Sequence, residues 1–250
     1  MKIPQNYLPG PELLKNKNIV ITGASDGIGR AAAKAFAAHG ATVILIGRTL
    51  QKLEMVYDDI EAAGYPQPAI YPLNFESAVE KDFMDMYTAL DNEFGHIDGI
   101  LHNAAELGQR TPISNYASDV WQRVMQVNVT APFLLTKALM PLLEKSPRAS
   151  IIFTGSSVGL QGRAFWGAYA ASKAAVENLM QTLADELQET SRIRVNSINP
   201  GATRTKMRAT AYPAENPKGV KSPETLMPSY LYLMGDDSLA IFGQQLSFSH

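Results

Sequence analysis

From Asn18 onward the sequence alternates two textures: short β-branched apolar runs, and longer alanine-rich stretches with apolar residues at helical spacing. A chain built this way lays strands side by side and returns between them through helices, giving a parallel sheet covered on both faces. Runs at 18–22, 41–46, 69–73, 97–102, 149–154, 192–198 and 241–246 predict seven strands. Helices are expected over 28–39, 50–63, 77–94, about 119–144 and about 166–189, with Gly40, Gly64 and Gly95 closing the first three. At 250 residues and 46% hydrophobic content, one large α/β domain over 1–250 accounts for the whole pattern.

Composition narrows the function. The net charge of −2 gives no global attraction to nucleic acid or to an anionic membrane. With no cysteine there is no disulfide scaffold, thiolate metal site or cysteine nucleophile, which agrees with a reducing compartment. His39, His96, His102 and His250 are scattered without metal-ligand spacing, so no metal is expected. Pro4, Pro9 and Pro11 interrupt the N-terminal stretch, leaving no apolar core for a signal peptide. No apolar run approaches the ~18 residues that span a bilayer. The expectation is a soluble cytoplasmic protein with a small-molecule substrate.

One segment breaks the alternation. Residues from about 203 to 221 are rich in Arg, Lys, Pro and Ala and poor in periodicity, and they read as a long loop of the kind that covers a site. Its cations Arg204, Lys206, Arg208, Lys218 and Lys221 form a solvated face or attract an anionic substrate. Ser222-Pro223-Glu224 is a helix start.

Three motifs carry chemistry. The first strand runs into T-G-A-S-D-G-I-G (22–29), whose glycines let backbone approach a bound group while the next helix points free N–H groups at an anion. In the first turn of a chain of βα units this is a pyrophosphate cradle. The second strand ends I-L-I-G-R-T (44–49). Gly47 stands where an acid would bind a ribose 2′-hydroxyl, and Arg48 can hold a 2′-phosphate, so NADP(H) is expected over NAD(H). In Y-A-A-S-K, Tyr169 and Lys173 share a helix face, and an ammonium beside the phenol is expected to lower its pKa. Among ten tyrosines that spacing alone gives roughly half a chance hit.

Taken in order, these motifs are specific. With N-A at 103–104, Asn128 in V-N-V, G-S-S-V-G at 155–159 and P-G at 200–201, the chain resembles the short-chain dehydrogenase/reductase family from Lys17 to about Leu246, within it a little-characterised bacterial oxidoreductase subgroup. The resemblance implies a single-domain Rossmann-like doubly wound sheet. It makes Tyr169 the proton donor, Lys173 its partner and a ribose ligand, and Ser156 the group that polarises the carbonyl, with Ser157 as its neighbour and alternative. Asn128 would hold a water behind the lysine. Cofactor contacts would come from Gly23, Ser25, Gly27, Ile28, Gly29, Arg48, Asn74, Phe75, Asn103, Ala104, Pro200, Gly201 and Thr205, together with Tyr169 and Lys173. Asp26 stands where many NADP-dependent members carry a base, Asn74 replaces an aspartate, and His102 and Ala105 replace Asn and Gly of N-N-A-G.

The implied activity is hydride transfer between a nicotinamide and a carbonyl or secondary alcohol. Two alternatives stand beside it. A sugar-nucleotide epimerase of the same superfamily resembles longer chains with a G-x-x-G-x-x-G loop. A non-enzymatic NADP(H) sensor commonly lacks the tyrosine or lysine. Trp166, three residues before Tyr169, lines the substrate pocket or packs the helix. The 166–189 helix carries Ala168, Ala171, Ala175, Leu179 and Leu183 alongside Ala170, Ala174, Val176, Met180, Ala184 and Leu187, an apolar surface wider than one sheet face requires. The preceding helical region, with Val127, Val129, Phe133, Leu134, Leu135, Ala138 and Leu139, is similar, and a second copy of the chain is the expected cover; the resemblance implies a homodimer or homotetramer paired through these two helices.

Overall fold

Continuous apolar runs become strands buried on both faces. In the computed structural model, which describes residues 7–248, the strands are β1 (Asn18–Thr22), β2 (Thr42–Gly47), β3 (Ala69–Pro72), β4 (Gly99–His102), β5 (Ser150–Thr154), β6 (Arg194–Asn199) and β7 (Gln245–Ser247). All pair in parallel in the order β3-β2-β1-β4-β5-β6-β7. Pro4 and His250, which figured in the sequence reading, lie outside the described residues.

The helices are α1 (Gly27–Ala38), α2 (Leu50–Ala62), α3 (Glu80–Phe94), α4 (Ser118–Met125), α5 (Ala131–Glu144), α6 (Ser157–Leu160), α7 (Gly167–Leu187), α8 (Lys206–Ala211) and α9 (Met227–Met234). Two apolar cores result, one on each face of the sheet. One joins Phe36, Leu53 and Tyr230 to β1 and β2; the other joins Phe83, Leu139 and Met180 to β4 and β5. The sheet and its two covering layers form a single domain. No helix among the described residues is long and apolar enough to cross a membrane.

Three expectations need correction. The helix expected over 119–144 is α4 and α5 joined by a π-helical turn at Gln126–Thr130, a wider winding found frequently at functional sites. The strand expected at 241–246 shrinks to Gln245–Ser247, because Gly243 turns at φ 64° and its N–H is already donated to the Val195 carbonyl. The segment after β6 is not all loop: Lys206–Ala211 is helical, capped by Thr205 Oγ1 accepting from the Arg208 N–H at 3.1 Å.

A buried cation fixes the far edge. Arg194 on β6 donates through Nη1 to the Leu233 carbonyl and through Nη2 to the Gly235 carbonyl, both at 3.0 Å. Carbonyls at the end of α9 lack helical partners and lie at the negative end of its dipole, so a guanidinium satisfies both demands.

Candidate active site

Strand order reverses between β1 and β4, and a crevice opens beyond their carboxyl ends. Thr22, the last residue of β1, ties the two lips together. Its Oγ1 accepts from the Asn103 and Ala104 N–H groups at 2.9 and 3.0 Å, and Asn103 Nδ2 donates to its carbonyl. The glycines then let the loop fold under itself. Gly23 is left-handed at φ 67°, and a Cβ on Gly29 would lie 2.1 Å from the Gly23 oxygen. That approach leaves a backbone-lined hollow at the start of α1, which fits a pyrophosphate.

The crevice is one cleft of about 840 Å³ running from Arg48 to Tyr212. It is lined by Gly23, Ser25, Gly27, Ile28, Arg48, Asn74, Phe75, Asn103, Ala104, Ser156, Tyr169, Lys173, Pro200, Gly201 and Thr205. Gly29 and Asn128 belong to the supporting layer instead. Phe75 reaches the cleft with its ring packed in the core, 5.8 Å from that of Phe83. Asn74 spends its side-chain oxygen locally, accepting from the Glu76 N–H at 3.2 Å.

At one end Arg48 and Lys52 flank the start of α2, whose first turn holds no acid. Neither side chain makes a hydrogen bond or ion pair among the described residues, although the Asp26 carboxylate is near enough to feel the Lys52 charge. Two cations at the positive end of a helix dipole repel it and each other, and an anion placed there relieves both. Lys52 was missed in the sequence, although a base in an acid-free first helical turn is a readable sign. Asp26 caps α1 by accepting from the Gly27 N–H at 2.8 Å and pairs with Lys206 of α8 at 3.0 Å. Burial alone would raise its carboxyl, but Lys206 and that N–H outweigh burial and hold it below the usual range. The Thr205 methyl packs against Gly27, so the segment after β6 meets the glycine loop at two points.

The other end holds the chemistry-bearing side chains. β5 delivers Ser156 to the N-cap position of α6, where its side chain makes no capping bond; the Ser156 hydroxyl hydrogen-bonds the Tyr169 phenol instead, and Ser157 next to it is exposed. Lys173, one turn along α7, is buried and donates to the Thr154 carbonyl at 2.7 Å. Its nitrogen is 5.7 Å from the Tyr169 ring centre. The expected lowering of the phenol does not appear in this arrangement: burial pushes Tyr169 up to about 12, against a smaller pull downward from Ser156. Burial also brings the Lys173 ammonium down to about 8, opposed by the Glu177 carboxylate one turn further on. Glu177 is itself buried, accepting from Ser197 Oγ at 2.6 Å and packing against Gly155.

Asn128 sits in the π-helical turn and is fully committed. Its Nδ2 donates to the Glu106 carbonyl and to Ser172 Oγ at 3.0 and 2.9 Å, and its Oδ1 accepts from the Glu106 N–H at 2.7 Å. It therefore staples the loop after β4 to α7. His102 is a core residue: its Nε2 lies 2.8 Å from Thr136 Oγ1, its ring stacks on Phe153, and burial lowers it to about 3, keeping it neutral. Thr154 and Glu177 carried no sequence motif, and Ser172 falls at an unspecified position of Y-x-x-x-K, since each acts only through a neighbour the fold brings to it.

A switch-point cleft with an anion cradle at one end and acid–base side chains at the other defines an α/β oxidoreductase built around a dinucleotide. A profile of the short chain dehydrogenase family matches residues 17–216, and the chain belongs to that family. Its enzymes interconvert CH–OH groups and carbonyls. The uncharacterised oxidoreductase YciK of Escherichia coli (strain K12) is 52% identical over 233 residues, covering 93% of this chain and 92% of its own. A Pseudomonas syringae structure from the same family is 55% identical with a TM-score of 0.95, covering 97% of this chain and 98% of its own. A Shigella flexneri 2a structure, complexed with NADP, is 50% identical with a TM-score of 0.93, covering 95% and 99%.

Proposed function

We propose that this chain is an NADP(H)-dependent carbonyl reductase or alcohol dehydrogenase with Tyr169 as its acid/base. The observation that carries the reading is the continuity of one cleft from the Arg48–Lys52 cation pair to the Ser156–Tyr169 hydrogen bond. Arg48 and Lys52 hold the 2′-phosphate; the Gly23–Gly29 loop holds the pyrophosphate; Asn103, Ala104, Pro200, Gly201 and Thr205 line the rest of the cofactor's path. The NADP in the Shigella flexneri relative supports this choice. When bound, the nicotinamide supplies or accepts the hydride.

The chain's own residues manage the oxygen. Ser156 and Tyr169 donate to a carbonyl oxygen as negative charge develops on it. Tyr169 gives up its phenolic proton as the alcohol forms, and the Lys173 ammonium steadies the phenolate left behind. A phenol held near 12 is fully protonated at neutral pH, as a proton donor must be. A Lys173 near 8 is mostly charged there and loses that charge in mildly alkaline solution. The segment at about 203–221 serves as the lid over the cleft.

Titration of NADPH and NADH by nicotinamide fluorescence tests the cofactor assignment. NADPH is expected to bind at least tenfold more tightly, about 1.4 kcal/mol. Equal affinities, or an Arg48→Ala protein that binds NADPH as before, overturn it. Turnover with a carbonyl panel separates the reductase from an NADP(H) sensor, which would bind without reducing.

We also infer a homodimer or homotetramer that works in the cytoplasm, where a reductase draws on pooled NADPH. Support for the assembly comes from the outer helices, where Phe133 of α5 is 46% exposed and Leu134, Leu179 and Leu183 are only partly covered. Light scattering coupled to gel filtration gives the mass; a value near 27.2 kDa with full activity overturns the assembly.

A further inference from the structure

Beside Tyr169 the cleft changes character. Leu107, Val158, Trp166, Met207, Ala211 and Tyr212 line it as one apolar cluster packed around the tyrosine. These residues come from the loop after β4, from α6, from the entry to α7 and from α8 with its exit. The Trp166 ring centre is 5.6 Å from that of Tyr169 and 6.0 Å from that of Tyr212. Trp166 is reached through Phe165, a bulky residue held left-handed at φ 71°, a conformation that costs about 1–2 kcal/mol outside glycine. The chain accepts that strain immediately before the side chain that walls the pocket.

Arg110 locks the wall from behind. Its guanidinium carbon lies 4.3 Å from the Trp166 ring centre and 5.2 Å from that of Tyr212, and its Nη1 donates to the Ala211 carbonyl at 2.7 Å. Arg208 covers Tyr212 at 3.7 Å and forms a two-pronged pair with Glu215. Lys206 is paired with Asp26. The cations of α8 thus lie against carboxylates and rings rather than alone in the cleft. Glu106, Arg163 and Lys173 also line the cleft, one anion and two cations, and Arg163 is exposed.

We propose that the substrate is an uncharged, apolar, ring-bearing carbonyl compound, its ring held by Trp166 and Tyr212, and that Arg110 is the positioning residue that assembles this wall. The proposal rests on the reductase reading for the carbonyl and on the aromatic wall for everything else. Flat apolar groups stack well on such rings, whereas a carboxylate seated against the apolar cluster gives up water that the cluster replaces poorly.

A matched pair of probes tests it: 4-phenylcyclohexanone and 4-(4-oxocyclohexyl)benzoate, which differ by one carboxylate. Binding to the NADP+-loaded protein is followed by tryptophan fluorescence and calorimetry, and turnover by NADPH oxidation. The neutral ketone is expected to bind at least tenfold more tightly. Arg110→Ala and Tyr212→Ala should each weaken it at least fivefold while the Kd for NADP+ moves less than twofold. Arg110→Lys keeps the charge but not the planar stack, and should behave like the alanine variant. Equal or tighter binding of the carboxylate, no binding of either probe, or indifference to both alanine variants overturns the proposal. Preferential binding of the neutral ketone without its reduction supports the pocket chemistry and overturns the reductase reading instead.

Discussion

The two ends of the cleft are built on different principles. The cofactor end is made by backbone: Thr22, Gly23 and Gly29 lie within eight residues of one another, and Asn103 and Ala104 follow the strand paired directly with β1. The substrate end is made by side chains from segments far apart in sequence, Leu107 and Arg110, then Trp166, then Met207 and Tyr212. Backbone geometry tolerates almost no substitution, whereas a side-chain wall can be rebuilt residue by residue. One scaffold can therefore keep a cofactor and change its substrate.

The sharpest way to break this comparison is chemical. Tyr169→Phe removes only the proton-bearing hydroxyl, and turnover should fall about 10²–10⁴-fold with NADPH binding intact. A kcat above a tenth of the parent value would place the acid/base work elsewhere. At the backbone end, Gly29→Ala puts a methyl 2.1 Å from the Gly23 oxygen, a contact only a backbone shift can relieve. Loss of stability of about 1–3 kcal/mol, read from denaturant midpoints, should accompany weakened binding of both NADPH and NADH. A variant with normal cofactor affinity would show that the loop is not the cradle.

Charge changes should be smaller and more selective. Removing Lys52 by alanine is expected to weaken NADPH several-fold, about 1 kcal/mol, and to leave NADH unchanged in parallel titrations. Glu177→Gln removes the carboxylate that helps keep Lys173 protonated. The alkaline limb of the reduction profile, expected near pH 8 from Lys173, should then move to lower pH. An unmoved limb would assign it to another group. The smallest effect belongs to the Asp26–Lys206 pair, which is solvent-exposed on both sides. Lys206→Ala should cost no more than about 0.5 kcal/mol in thermal or chemical unfolding.

Much of the fold was legible because its signals are local. β-Branched runs and helical periodicity gave six of the seven strands in nearly the right place. β7 was displaced, because a lone Gly243 turn is invisible inside an apolar run. The break between α4 and α5 was hidden for a similar reason: a π-helical turn keeps the residue types of a helix while changing its winding.

For the site, the sequence by itself determined the strand–glycine–helix turn, the base Arg48 after β2, and the placing of Tyr169 and Lys173 on one helix face, because each depends on neighbours within a turn or two. Only the tertiary structure decided that Ser156 rather than Ser157 meets the phenol, that burial rather than the lysine sets the phenol's proton affinity, and that the cations of α8 are neutralised by Asp26 and Glu215. Desolvation and charge pairing are properties of what surrounds a group in space, and a linear pattern does not state those surroundings: Lys206 meets Asp26 from a segment far along the chain, and Arg208 meets Glu215 only because the chain turns back after α8.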